Sequence, residues 1–123
     1  MAQWLDTTVV NRTDWNDHLF SLRFSCAEFP QFKAGQFTKV GIEQANIIIP
    51  RPYSLVSGPS EHELEIIVLS VADGSLSPTL HKLQTVDSLK IMSPATGLLT
   101  LDDVPIRRTL WLMPTGTAPR TLL

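Results

Sequence analysis

The chain is poor in several residue types, and each shortage narrows what it can be. A single cysteine, Cys26, stands among 123 residues, so no intrachain disulfide can form. Cys26 lies in a strand-like run, which suits an inert buried thiol better than a nucleophile. One cysteine cannot hold an iron–sulfur cluster. The three histidines, His18, His62 and His81, are far apart and form no short-spaced ligand pair, so no metal site is expected. His62 falls in a polar turn, and His81 should face solvent from a short helix. No serine sits in a nucleophile elbow, and no triad can be assembled. No apolar run approaches the roughly 20 residues that a membrane helix needs. The opening Met1-Ala2-Gln3-Trp4-Leu5-Asp6 lacks the basic and apolar regions of a signal peptide. A net charge of −2 gives no basic excess for nucleic acid or anionic membrane. These features fit a cytoplasmic protein.

What the chain does have is a globular composition, 43% hydrophobic and 18% charged, in a length that can bury a core. Its patterning is mostly of period two. Thr7-Thr8-Val9-Val10-Asn11 reads as a first strand, and residues 11–17 as a polar turn. His18 to Phe24 pairs back as a hairpin. After a loop at 30–35, Gln36 to Ile42 alternates again. Residues 43–46 form a turn, and Ile47 to Ser57 makes a fourth strand. Gly58-Pro59-Ser60 is punctuation. Leu64 to Val71 is the most β-prone run, and Ser88-Leu89-Lys90-Ile91-Met92 is a sixth strand. The expected fold is all-β: a six-stranded antiparallel Greek-key barrel with one short helix. Asp102-Asp103 should be a loop after the barrel.

The densest chemistry lies in Arg51-Pro52-Tyr53-Ser54, which includes the chain's one tyrosine. On a strand, Arg51 and Tyr53 share a face and Ser54 takes the other. A guanidinium is a planar fork for phosphate oxygens, and an aromatic ring offers a flat surface to another ring. Together they could grip a molecule with a diphosphate at one end and a planar ring at the other. A plain strand with an exposed Arg and a half-buried Tyr fits the same letters. Pro52 cannot donate to a ladder, so it marks an edge or a bulge. That serves a ligand lying along the edge, and equally guards against aggregation.

The segment Gly74-Ser75-Leu76-Ser77-Pro78 is the second candidate. Ser77 reads as an N-cap and Pro78 as the first helical residue, with Thr79 to Gln84 adding about two turns. A helix start presents free N–H groups to an anion, though an ordinary capped helix has the same pattern.

Taken in order, Gly35-Gln36-Phe37-Thr38-Lys39, Arg51-x-Tyr53-Ser54, Gly74-x-Leu76-Ser77-Pro78 and Thr115-Gly116-Thr117 after Leu110-Trp111-Leu112-Met113 resemble the bacterial ferredoxin/flavodoxin–NADP(+) reductases of the ferredoxin reductase superfamily. The likeness runs to about Thr117. It implies FAD as cofactor, NADP(H) as substrate, and ferredoxin or flavodoxin as partner. On the matching positions it implies that Arg51 binds the pyrophosphate and that Tyr53 packs on the flavin or its ribityl chain. Ser54 would hydrogen-bond near flavin N5, as the one residue at the reacting centre. Pro52 belongs to the same edge. Ile67, Val68, Leu69 and Ser70 would line the adenine and ribityl side, the last three through backbone contacts. Ser75, Leu76 and Ser77 would donate to the pyrophosphate. Thr117 would lie at the seam with a nucleotide-binding domain.

The resemblance also implies a second, α/β domain for NADPH, of which this chain holds the start. Residues 1–104 are then the FAD-binding barrel and residues 105–123 the beginning of the NADP-binding domain. Thr109 to Met113 would be an orphan first strand. Such a strand has three options: to pack on the barrel, to pair with another copy, or to stay disordered. Packing on the barrel or self-association is the expectation. Pro119 and Arg120 depart from the helix that normally follows the Thr-Gly-Thr turn. Two alternatives stay open at this point: the flavin module of an oxygenase reductase, and a β-barrel binding module without a cofactor.

Overall fold

The structure, a computed structural model, describes residues 3–70, 77–84, 87–98, 100–102, 104–105, 109–111 and 113. It contains strands β1 (Gln3–Asp14), β2 (Leu19–Ser25), β3 (Phe37–Gln44), β4 (Ile47–Ser54), β5 (Glu63–Leu69) and β6 (Ser88–Ser93). One helix, α1 (Ser77–His81), lies between β5 and β6. The strands form a single sheet in the order β4-β3-β6-β1-β2-β5, and every pairing is antiparallel. β6 returns to insert between β1 and β3, which makes the all-β, Greek-key reading hold.

Alternation builds the core. Leu64, Ile66 and Val68 of β5 turn inward beside Phe20, Leu22 and Phe24 of β2. Leu5 and Val9 of β1, Val40 of β3, and Leu89 and Ile91 of β6 complete the wall, and Leu80 of α1 plugs the interior. Fully burying one such side chain stabilises by roughly 1.5–3 kcal/mol. Their neighbours Glu63, Lys39 and Lys90 take the other face, so the period-two pattern is the physical cause of the sheet.

The observed strands differ from expectation mainly at their ends. β1 is longer than Thr7–Asn11 at both ends. Its first half pairs with β6 (Gln3↔Ser93 to Thr8↔Ser88) and its second half with β2 (Thr8↔Ser25 to Asp14↔Phe20). Tertiary pairing thus recruits polar residues that read as a turn. A bulge at Val10 shifts the β1–β2 register between Val9 and Asn11. β4 stops at Ser54; Leu55 still donates to Gln36, and Val56 and Ser57 then turn toward β5. Val71 and the turn at Asp73-Gly74 lie outside the described residues. The turn between β3 and β4 is two residues, Ala45 and Asn46, both at positive φ (50° and 64°). This mirror-image turn matches the strand twist.

Of the two expectations for the C-terminal segment, packing on the barrel is corrected. Thr109, Leu110, Trp111 and Met113 belong to no strand, and Trp111 is 80% exposed, so it does not pack on the barrel. A strand needs a neighbour to pair its backbone, and no described strand reaches this segment. Leu112 lies outside the described residues.

One tight spot tests the packing. A Cβ on Gly41 would come 2.6 Å from Ile48 Cγ2 and 3.2 Å from the Ile49 carbonyl oxygen, with Trp4 close behind. Gly41→Ala should therefore destabilise the barrel by about 1–3 kcal/mol through overpacking. Urea denaturation measures it, and an unchanged midpoint would show that β3 and β4 have room to spare.

Candidate functional site

β4 and β5 are the two edges of the sheet. Every described strand residue assigned a cofactor contact from the sequence lies on one of them or just beyond. Arg51, Pro52, Tyr53 and Ser54 are on β4, Ile67, Val68 and Leu69 on β5, and Ser70 follows directly.

On β4, Arg51 and Tyr53 do share a face. Their cross-strand partners are Val40 and Thr38, both buried, whereas Pro52 faces the exposed Lys39. Arg51 is nonetheless exposed, because no strand continues the wall beyond this edge. Its Nη1 donates to the Pro50 carbonyl at 2.7 Å, which folds the guanidinium back along the edge. Tyr53 packs against the core cluster. Burial pushes its phenol above the usual tyrosine range, and the Arg51 charge pulls the other way. Ser54 is half-buried opposite Phe37.

The hairpin fixes which backbone groups face the open edge. A two-residue turn closes on a hydrogen-bonded pair, here Gln44↔Ile47, and such pairs then alternate along the ladder. The alternation continues past the strand, where the Leu55 N–H donates to Gln36 C=O at 3.1 Å. Ile48, Pro50, Pro52 and Ser54 therefore point their backbone outward. Both prolines occupy places where no ladder donor is lost, and both remove a donor from the open edge.

The same reasoning applies to β5. Ser70 N–H donates to His18 C=O at 2.7 Å, in register with the Leu19↔Leu69 ladder. Val68 and Ser70 thus spend their backbone groups on β2. Glu65, Ile67 and Leu69 point theirs to the open edge. Val68 is fully buried, Ile67 is half-buried and Leu69 is 57% exposed. Of the residues that the sequence reading gave backbone contacts, Leu69 turns its backbone to the open edge, whereas Val68 and Ser70 turn theirs to β2.

The two edges meet at one place. Val56 N–H donates to Glu65 C=O at 2.9 Å, and Glu65 N–H donates to Ser57 Oγ at 3.1 Å. Beyond this clamp β4 and β5 form no ladder. The gap is bounded by Arg51, Tyr53 and Ser54 on one side and by Ile67 and Leu69 on the other. Sequence reasoning missed the clamp, because nothing in Leu55-Val56-Ser57 distinguishes it from more strand.

α1 adjoins β5. Ser77 starts it as expected, but Ser75 and Leu76 lie outside the described residues, as does Thr117. His81 is corrected: its ring is half-buried, 5.2 Å edge-on from Phe20, rather than turned to solvent. Cys26 lies just past β2, half-buried, with its thiol pushed up by burial. Among the described residues no helix is long and apolar enough to cross a membrane.

The family of the oxidoreductase FAD-binding domain matches residues 6–99. The chain is 42% identical over 118 residues to the flavodoxin/ferredoxin–NADP reductase of Escherichia coli K12, covering 96% of this chain and 47% of that protein. It is 37% identical over 117 residues to the ferredoxin–NADP reductase of Pseudomonas aeruginosa, covering 95% and 45%. Among solved structures, a ferredoxin NADP+ reductase from Neisseria gonorrhoeae with bound FAD and NADP superimposes with a TM-score of 0.79 at 28% identity. That match covers 83% of this chain and 42% of that one. The chain spans about half the length of the curated relatives it matches.

Tyr53 offers a direct check of the edge geometry, since it is the chain's one tyrosine. Folding raises its pKa, so its contribution to stability is fully present below about pH 10, the unfolded value, and is lost as pH rises through the folded one. Tyrosinate absorbance should show one transition, displaced upward from free tyrosine. Arg51→Ala should move it further up by removing the opposing charge. A midpoint indifferent to Arg51 would mean the two side chains do not share a face.

Proposed function

The chain belongs to the oxidoreductase FAD-binding domain family, and from that premise we propose that it holds FAD along the gap between β4 and β5. It would do so as the flavin-binding part of a ferredoxin/flavodoxin–NADP(+) reductase. The observation that carries this is the pair of sheet edges, clamped at Val56–Glu65 and open beyond, with Arg51, Tyr53 and Ser54 along one of them.

The residues fit such a molecule by their chemistry. Arg51 is an exposed fork of donors for a diphosphate. Tyr53 stands on the same face with its ring partly out of the core, a flat surface for a ring system or its sugar chain. Ser54 turns a hydroxyl to the other face, and its N–H is the edge donor beyond Pro52. Ser54 is the residue we assign beside the reacting ring nitrogen. Ile67 and Leu69 add outward backbone groups and apolar area from β5, while Val68 supports them from the core. Pro52 keeps the edge acceptor-rich. We assign Ser75, Leu76 and Ser77 to the diphosphate and Thr117 to the seam with a further domain, on the resemblance alone. FAD, when bound, supplies the electron-carrying chemistry, and the protein supplies position and surroundings.

At the level of the whole protein, we assign electron transfer between NADPH and ferredoxin or flavodoxin. Residues 1–104 form the FAD-binding unit and residues 105–123 begin the NADP-binding one. The family match over residues 6–99 supports the first of these.

Arg51→Ala should weaken FAD binding by about 1.5–3 kcal/mol, the scale of a charge-assisted hydrogen bond. FMN, without the diphosphate link and adenine, should lose most of that sensitivity. Equal losses for the two flavins in a fluorescence titration would sink the diphosphate role.

A polypeptide of residues 1–123 alone, loaded with FAD, should not oxidise NADPH in a saturable way. The nicotinamide must be held against the flavin in a near-attack geometry, and no described element offers a second wall for it. Robust saturable turnover in a stopped-flow assay would place the nicotinamide site within this barrel.

A further inference from the structure

Gly35-Gln36-Phe37 opens β3, and Gln36 stands at a junction of three segments. The turn before it, Lys33-Ala34-Gly35-Gln36, is closed by the Gln36 N–H donating to the Lys33 carbonyl at 3.1 Å. Its third residue takes positive φ, 99°, a conformation that glycine adopts freely. The Gln36 side chain is half-buried and engaged in two directions. Its Oε1 accepts from the Lys33 N–H at 2.9 Å, and its Nε2 donates to the Gly97 carbonyl at 3.3 Å. Its backbone carbonyl accepts from the Leu55 N–H at 3.1 Å. One residue thus joins the turn before β3, the segment after β6 and the end of β4.

The bond to Leu55 bears on Ser54. Ladder bonds between antiparallel strands fall at alternate residues. The Thr38↔Tyr53 rung lies before Ser54, and the Gln36–Leu55 rung lies after it. Ser54 turns its own backbone to the open edge. Its cross-strand partner Phe37 spends its N–H and C=O on Thr96, at 2.8 and 2.9 Å, and offers Ser54 no backbone bond. Ser54 is therefore held to β3 through the two rungs that bracket it. The first rung is anchored in the core, where Thr38 is buried and its hydroxyl donates to the Met92 carbonyl. The second is the last rung of the ladder, and beyond it the chain crosses to β5. What steadies its acceptor is the Gln36 side chain, gripped from Lys33 and from Gly97.

We propose that Gln36 is a positioning residue for the flavin ring, acting through Ser54: it fixes the last β3–β4 rung and thereby the place of the Ser54 hydroxyl. This rests on the FAD reading above and deepens it. Gln36 touches no cofactor in this role. It sets where a contacting group lies, as the supporting shell of a site does. Arg51, assigned to the diphosphate, lies on the far side of the Thr38↔Tyr53 rung. FAD and FMN share the ring, so loss of Gln36 should weaken both alike, whereas loss of Arg51 should weaken FAD.

The test titrates FAD and FMN into the unaltered chain, Gln36→Met, Gln36→Glu, Ser54→Ala and each Gln36 change combined with Ser54→Ala, with Arg51→Ala as a reference for the site. Gln36→Met keeps the side-chain length and removes both hydrogen bonds. It should weaken both flavins about fivefold, the scale of a hydrogen bond. Gln36→Glu keeps the acceptor for the Lys33 N–H and should weaken both about threefold; it serves alone if the methionine variant does not fold. In the Ser54→Ala background either change should cost less than about twofold, because the group being positioned is gone. A general structural role would cost the same in both backgrounds, and that result overturns the proposal. A loss confined to FAD overturns it as well. So do unchanged affinities in the folded Gln36 variants while Arg51→Ala stays impaired, and these outcomes leave the FAD reading standing. Ser54→Ala without effect on either flavin removes the Ser54 assignment and the proposal with it. Failure of the unaltered chain to bind FAD overturns both the proposal and the FAD reading.

Discussion

The hydrogen bond from Val56 N–H to Glu65 C=O is where the two edges of the sheet meet, and the site depends on its being a point contact. Six strands in one sheet must either close into a full barrel or leave two raw edges. Here the chain leaves β4 at Ser54, crosses to β5 for one backbone contact and the Ser57 hydroxyl, and then turns away. Glu65 is anchored on its other side as well. Its buried carboxylate meets Arg23 at 3.1 Å, and Arg23 also reaches Glu61 at 3.1 Å and Glu63 at 3.7 Å. A buried carboxylate is costly unless paired, so Arg23 lets a charged residue occupy the clamp. The seam is pinned there, and β4 and β5 form no ladder beyond it.

An open edge is normally a hazard, since it invites another strand. The outward positions of β4 are Ile48, Pro50, Pro52 and Ser54. A pairing strand needs donors and acceptors in alternation, and the two prolines supply acceptors only. The Pro50 acceptor is already taken by Arg51. What remains is a poor template for a peptide and a workable one for a rigid molecule that meets a few fixed groups. The guard reading of Pro52 thus rests on the missing donors, and the proposed ligand would use the same open edge.

Much of this was legible because it is local. Alternation in residues 64–68 and 20–24, the Ser77-Pro78 start and the Arg51-to-Ser54 spacing each depend on neighbours a few positions away. What was not legible depends on pairing between distant segments. The extent of β1 was hidden because Arg12, Thr13 and Asp14 look like a polar turn until β2 is laid beside them. His81 was misplaced because a helix end looks exposed until Phe20 arrives beneath it. Which of Ile67 to Ser70 turn their backbone groups outward is a matter of register. A one-residue difference decides whether a backbone group faces β2 or the gap. No feature of the letters Ile-Val-Leu-Ser carries that.

The short helix shows the same division most sharply. Its start is written in Ser77-Pro78, yet five residues are far too few to persist on their own, since isolated helices below about 12–15 residues are marginal in water. The helix exists because Leu80 is wholly buried and because its final carbonyls find a donor. The first condition is hydrophobic and tolerant of small displacements, for an apolar plug can settle at several depths. The second is directional, because the Arg12 guanidinium, already bound to Asp14 and laid over Phe20, offers its remaining N–H groups at one place only. Burial therefore holds the helix against the core, and Arg12 fixes where its end lies.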